Sequence, residues 1–337
     1  MTKPIKLIAC DIDDLNSQVQ RHYKEGVELE KGVILTEEYL LKHEELFKKY
    51  ANFFSAYPDI FIDLITPEES NFSLFFFQRI FLRACMRYRY HYCTACRAFS
   101  KTFISILALY LECMFRPGVK LFICAPGKNQ SAKIAKDKIY EIWDKLPFLK
   151  KEIIGDGNFG KDYVTLTFRN GSIFDVVGAL DSERGGRRHG GLIDEIRDHD
   201  GEILNSVVLP LMNVSRRTAL GEVNDNEPNQ QQLYMTSAGV KSSYAYEKLI
   251  DCLEMSIINP KKAFVWGCDY RVPVMHGLLD KQFIQEISGN RFETTIRLQA
   301  KPVTESALKN EVLIDSSKSS KVKDDYLNLI DEIVKRG

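Results

Sequence analysis

Two short stretches hold the residue types that phosphate chemistry requires. The first is Cys96-Arg97-Ala98-Phe99-Ser100-Lys101-Thr102, lying between a predicted strand and a predicted helix. A phosphate-binding P-loop wraps backbone N–H groups around a β-phosphate, sends a lysine to the β/γ-phosphates and offers a hydroxyl to Mg²⁺. Lys101 and Thr102 have those identities, and the backbone of Arg97, Ala98, Phe99 and Ser100 would form the cradle. The two glycine positions of G-x-x-x-x-G-K-[ST] fall on Ala95 and Ser100, so the match is incomplete. A helix N-terminus with an exposed lysine gives the same string.

The second stretch is Gly190-Gly191-Leu192-Ile193-Asp194-Glu195, a short apolar strand ending in two acids, 93 residues after Lys101. Asp194 suits the Mg²⁺ shell of a nucleotide site, and Glu195 is placed to orient and polarise an attacking water. A solvated acidic turn is the plain alternative, yet the two stretches in this order reinforce each other. Gln78, inside FFFQRIF, has an amide able to pair with adenine N6 and N7, or is an ordinary exposed helix glutamine. Thr236 and Ser237 end the strand QQLYM. Small hydroxyl residues there can sense a γ-phosphate, and they also simply terminate strands.

These residues need a scaffold, and the periodicity supplies one. Apolar positions at helical spacing predict helices over Leu35 to Phe54, PDIFIDLI, the FFFQRIF segment, Lys101 to Phe115, KNQSAKIAKDKIYEIWDKL, a stretch near Gly201 to Met212, and SYAYEKLIDCLEM. Between them lie candidate strands RYRYHYC, VKLFICAP, GGLIDEI, QQLYMTSAG and AFVWGCDY, the alternation of a mainly parallel sheet between helices. YVTLTF and SIFDVVG flank Asn170-Gly171, a two-residue hairpin signal in which both turn positions favour positive φ.

Composition narrows the class. Of 337 residues, 45% are hydrophobic and 27% charged, which is an ordinary globular balance. Lys+Arg and Asp+Glu both total 46, so a nucleic-acid partner would have to use a local basic patch. Arg187-Arg188 and Arg216-Arg217 are candidates for DNA phosphate contacts, or a solvated surface. No long apolar run marks a leader or a membrane span, and a reduced cytosolic protein is expected despite eight cysteines. Cys93 and Cys96 have C-x-x-C spacing without a second ligand pair. They read as two small residues at the end of a buried strand, with zinc or redox roles as alternatives.

The ordered series FFFQRIF, CRAFSKT, a strand ending in AP, KNQSAKIAKDKI, FRNGSIFDVVG, SERGG, GGLIDEI and TSA resembles the N-terminal ATPase domain of tailed-bacteriophage large terminase subunits. The resemblance spans roughly residues 57 to 270, and Ser100 departs from the glycine usual before the lysine. It implies an α/β P-loop NTPase of the additional-strand, catalytic-glutamate type, with the glutamate on the strand next to the P-loop strand. A helical region (1–56) would precede the ATPase core (57–270), and a small lid subdomain and linker (271–337) would follow. ATP and Mg²⁺ are the implied cofactors, with Thr102 and Asp194 at the metal. Gln78, Arg97, Ala98, Phe99, Ser100, Lys101, Thr102, Asp194, Thr236 and Ser237 would surround the nucleotide, and Glu195 would be the catalytic carboxylate. Arg97 resembles an arginine pointed at the γ-phosphate of its own ATP. Arg184 resembles one acting on a neighbouring subunit's ATP, with a salt bridge as its alternative. Implied partners are double-stranded DNA, a portal protein, a small terminase subunit and further copies in a ring on the procapsid, in the cytoplasm of an infected bacterium. The stretch after 270 is short for a nuclease domain, so no nuclease activity is expected of this chain. The alternatives are another translocase or helicase-like ATPase, and a non-catalytic docking module with a decayed P-loop.

Overall fold

Strand residues alternate between two faces of a sheet, and the apolar residues here divide between two cores on that rule. Cys93, Ala95, Leu121, Ile123, Leu192, Leu233 and Met235 enter one core; Tyr92, Phe122, Cys124, Ile193 and Tyr234 enter the other. A sheet buried on both faces is the signature of parallel strands joined by helical crossovers.

The computed structural model describes residues 44–67, 69–179, 186–218, 221–237 and 239–282, together with 324, 327 and 328. In chain order the elements are α1 (Glu44–Ala56), α2 (Pro58–Ile65), α3 (Phe76–Arg87), β1 (Tyr90–Ala95), α4 (Lys101–Phe115), β2 (Lys120–Cys124), α5 (Lys128–Lys145), β3 (Asn158–Phe159), β4 (Val164–Thr167), β5 (Ile173–Val176), β6 (Gly190–Asp194), β7 (Gln231–Thr236), α6 (Tyr244–Ile258), β8 (Ala263–Cys268) and α7 (Arg271–Met275). A helical stretch from Gly201 to Leu211 contains one π turn, Leu204–Val208. The strands form one sheet in the order β3-β4-β5-β2-β6-β7-β1-β8, parallel throughout except at β3-β4-β5.

One positional expectation is corrected by this order. β7 lies between β1 and β6, so the strand leading to Glu195 is one place removed from the strand leading to Lys101. Successive parallel strands need not be neighbours, and chain order alone does not reveal which strand is inserted between them. The hairpin forms, with β4 and β5 antiparallel, but its turn is corrected. Only Gly171 takes positive φ (80°), while Phe168 N–H donates to Ser172 O, so the turn holds three residues and not two. The side chain of Asn170 is engaged elsewhere. Its amide nitrogen donates to the carbonyls of Cys113 and Met114 at 2.8 and 2.9 Å, satisfying the end of α4.

α4 is apolar nearly all round and almost wholly buried, as a central helix must be. α3, α4 and α5 cover one face of the sheet, and the Gly201–Leu211 stretch with α6 covers the other. β6 is buried at every position. Its two glycines make that possible, because Gly191 pairs with Phe122, and a Cβ on Gly191 would lie 2.5 Å from the Phe122 ring. Most of the expected lid (271–337) and most of the region 1–56 lie outside the described residues. No helix among the described residues is long and apolar enough to cross a membrane.

Gly191→Ala should cost about 1–3 kcal/mol of stability through overpacking. Denaturant midpoints should recover when Phe122→Leu is added, and an unchanged midpoint in the single variant would contradict the tight fit.

Candidate active site

β1 delivers the chain to Ala95, and α4 begins at Lys101. The loop between them must reverse direction without glycine, and Ala98 (φ 64°) and Ser100 (φ 65°) both occupy the left-handed region. Non-glycine residues are strained in that conformation and hold it only where the surroundings insist. Phe99, between them, is fully buried, with its ring centroid 4.8 Å from Phe77 and 5.6 Å from Phe81. Its side chain therefore anchors the loop, leaving only its backbone to face a ligand. Lys101 is 8% exposed, and its Nζ donates to the carbonyls of Ala95 (2.8 Å) and Cys96 (3.2 Å), so the ammonium lies against the loop itself.

Alternation along β6 puts Asp194 on the same face as Leu192, which is the α4 face. There Thr102 Oγ1 donates to Asp194 Oδ2 at 2.9 Å, joining two residues 92 apart in sequence. Asp194 Oδ1 is buried with no hydrogen-bond partner. A buried carboxylate oxygen without a donor, beside a threonine hydroxyl, fits a hard divalent cation such as Mg²⁺. Burial pushes the Asp194 carboxyl up to about 6, helped by the neighbouring Glu195 and opposed by Thr102 and Lys101.

The chain turns sharply at Glu195, which has φ 48° and ψ 52°. Its carboxylate accepts from Ser237 N–H and Ser237 Oγ, each at 3.2 Å, and lies 3.7 Å from Arg197 Nε. Thr236 is buried at the end of β7, with its hydroxyl donating to Ser237 O at 2.9 Å. His199 Nε2 lies 3.0 Å from Asp194 O, and burial lowers the imidazole's affinity for a second proton.

An open cleft of about 800 Å³ runs beside the loop. Gln78 lines it but is buried, and its Oε1 accepts from Phe75 N–H at 3.0 Å, so it caps α3 and is not an exposed helix glutamine. Arg97, exposed, lines the cleft as well. On the opposite wall stand Lys138, Glu141, Asp144 and Lys145 of α5, which sequence reasoning misses. Lys138, Glu141 and Lys145, at i, i+3 and i+7, mark one helical face, but charged faces of this kind are ordinarily solvated. Leu278 also reaches the cleft, and His276 packs on Phe75 and Phe77. Arg184 and Ala238 lie outside the described residues.

Two arginines offered as DNA contacts are engaged elsewhere. Arg188 forms a two-pronged pair with Asp175, and Arg216 is buried against Glu227 and Pro117 O. Arg217 Nη1 bonds Gly221 O at 2.7 Å, and Arg187 is exposed. Cys93 is fully buried in β1, and no group of three or more metal-ligating side chains occurs among the described residues.

With this geometry in place, solved structures provide a comparison. The fold matches that of the HK97 bacteriophage large terminase. The TM-score is 0.53 at 13% identity, covering 77% of this chain and 54% of that one, so the match takes in about half of the HK97 protein. Also similar, at lower TM-scores, are the large terminase ATPase domain of Thermus phage P74-26 (0.38, 15% identity, 60% of this chain and 93% of that one) and the large terminase of another thermophilic bacteriophage in complex with ADP (0.42, 12%, 62% and 48%). No protein-family model matches the sequence, and no curated protein matches it either.

Two outcomes follow from the loop and from Asp194. Ser100→Gly should raise stability by about 1 kcal/mol by relieving the left-handed strain, seen as a higher Tm, whereas Ser100→Val should lower it. Asp194 holds its proton more tightly folded than unfolded. In EDTA its contribution to stability is therefore complete below about pH 4 and lost as pH rises through about 6. Asp194→Asn should remove that loss, so the variant gains on the parent across that window; parallel pH–stability curves would contradict the shift.

Proposed function

We propose that this chain is an ATP-hydrolysing motor domain of the large-terminase kind, which powers translocation of double-stranded viral DNA into a procapsid. The observation that carries it is the Thr102–Asp194 hydrogen bond at the root of a lysine-bearing loop. It brings together a hydroxyl, a buried unpartnered carboxylate oxygen and an ammonium, the set that holds a metal-bound triphosphate.

The loop after β1, Asp194-Glu195 after β6 and Thr236-Ser237 after β7 all lie at the C-terminal ends of parallel strands, where open α/β sheets bind ligands. The insertion of β7 between β1 and β6 suits a P-loop NTPase of the additional-strand type. ATP would lie along the cleft, with Lys101 leaving its loop carbonyls for the β/γ-phosphates and backbone N–H groups of Arg97 to Ser100 around the β-phosphate. Thr102 and Asp194 would hold Mg²⁺. When bound, the ion neutralises charge that develops on the transferring phosphoryl group. Glu195 would accept a hydrogen bond from the attacking water and orient it for in-line attack. Ser237, bonded to that carboxylate, connects the end of β7 to the reacting centre, and Gln78, whose Oε1 is held by Phe75 N–H, would turn its amide N–H groups to the adenine.

Arg97, which lines the cleft, would point at the γ-phosphate of its own ATP, and Arg184 would act on a neighbour's site. The remaining parts of the proposal are a lid from 271–337, a ring of copies on a portal, a small terminase partner, and action in the cytoplasm of an infected bacterium. Ala98 and Ser100 favour the second reading, a docking module with a decayed loop, because neither position has the glycine that suits its φ.

Mg²⁺-dependent ATP turnover and nucleotide binding decide between the two. Lys101→Ala should abolish binding. Glu195→Ala should bind ATP normally while turnover falls ~10²–10⁴-fold. Turnover per chain should rise with protein concentration if an arginine acts in trans. Absence of nucleotide binding by the parent protein would sink the ATPase reading in favour of docking.

A further inference from the structure

The turn that aims Glu195 is held by a residue that belongs to no nucleotide-binding motif. β6 ends at Asp194, Glu195 takes the left-handed conformation, and a single 3₁₀ turn, Ile196–Asp198, carries the chain to His199. There the ring folds back, with Nε2 3.0 Å from the carbonyl oxygen of Asp194. A carbonyl only accepts, so Nε2 is the protonated nitrogen and Nδ1 the bare one. Nδ1 is itself buried and has no partner. The ring is thus committed to one contact, on the peptide that separates the two carboxylates.

That peptide sets where each acid goes. Asp194 points to Thr102 beneath the loop, while Glu195 points to Ser237 at the end of β7. β6–β7 pairing ends at Asp194↔Met235, so the sheet no longer fixes the chain at Glu195. A non-glycine residue stays in the left-handed region only where neighbours over-determine it. Besides the local turn bond from Asp198 N–H to Glu195 O, the His199 contact holds this corner from the other side. Ring and turn together form a clamp around one residue.

We propose that His199 is a positioning residue for hydrolysis: its Nε2–H···O=C bond to Asp194 fixes the Asp194–Glu195 peptide, and through it the direction of the Glu195 carboxylate. The proposal rests on the ATPase reading of this site. His199 would touch neither nucleotide nor water, so its loss should appear in the chemical step and not in binding.

The test compares the parent protein with His199→Ala and His199→Gln, using ATP turnover together with the Kd for a fluorescent ATP analogue. A glutamine side-chain nitrogen reaches the place of Nε2 and keeps the donor; alanine removes it. His199→Ala should lower kcat by ~100-fold, the scale of a misplacement of about 1 Å, with KM and Kd changed by about twofold or less. His199→Gln should restore kcat to within about fivefold of the parent, because the donor is back. An active parent with His199→Ala equally active overturns the role of His199 and leaves the ATPase reading standing. Equal damage in both variants also overturns it, because ring packing and not the hydrogen bond would then be the cause. A parent that neither binds nor hydrolyses ATP overturns the ATPase reading and this proposal with it.

Discussion

The burial of Phe99 is the constraint on which the site depends. A loop carrying Ala98 and Ser100 in left-handed conformations has every reason to relax, since each such residue costs roughly 1–3 kcal/mol. What prevents it is the aromatic residue between them, driven into a pocket of Phe77, Phe81 and Trp266. Burying a phenylalanine side chain yields about 1.5–3 kcal/mol, comparable with the strain of one of the two residues beside it. Apolar packing thus holds in this chain a left-handed loop that glycine would adopt without strain. The loop is also tied to β8, through Cys96 N–H to Cys268 O, so its first residue is fixed to the sheet and its fourth to the core.

From that anchor the remaining geometry follows by parity and order. Asp194 reaches Thr102 because it shares a face with Leu192, and α4 covers that face. Glu195 lies beyond the end of the ladder and so turns toward Ser237 instead. Two adjacent acids thereby serve different neighbours. The polar contacts at the opposite end of α4, Asn170 on its last carbonyls and Arg116 on Glu112, hold the helix from its far terminus. α4 is fixed at both ends, and little freedom remains for Thr102 to leave Asp194.

Much of this is legible in the sequence, and the failures have identifiable causes. The boundaries of α4 follow from Pro117-Gly118 and from the all-apolar run, and β6 follows from five residues too short and too apolar for anything else. The sheet order does not follow, because periodicity reports which face a residue takes and says nothing of which strand is its neighbour. Pattern alone leaves Gln78 either a base contact or an exposed side chain, whereas it caps a helix whose first turn it helps to build. The Asn-Gly turn misleads for a related reason: Asn170 is held by the end of α4, a contact distant in sequence, and that contact overrides the local preference for a two-residue turn. The charged wall of α5 and the ring of His199 carry no local signal, since only folding brings them to the site.

The lysine in the loop has a consequence for which anions it would hold. Its ammonium already has two carbonyl acceptors, so two of its three hydrogens are taken up within the loop while its positive charge remains. A phosphate entering the loop would have to displace those carbonyls, and the net gain would be the difference between two sets of hydrogen bonds. Singly charged anions, which offer little beyond what the carbonyls already give, would be turned away, while a polyphosphate that also engages the backbone N–H groups would prevail. Such an exchange would favour charge density over charge alone, and the swing of one side chain that it needs is fast beside diffusional encounter.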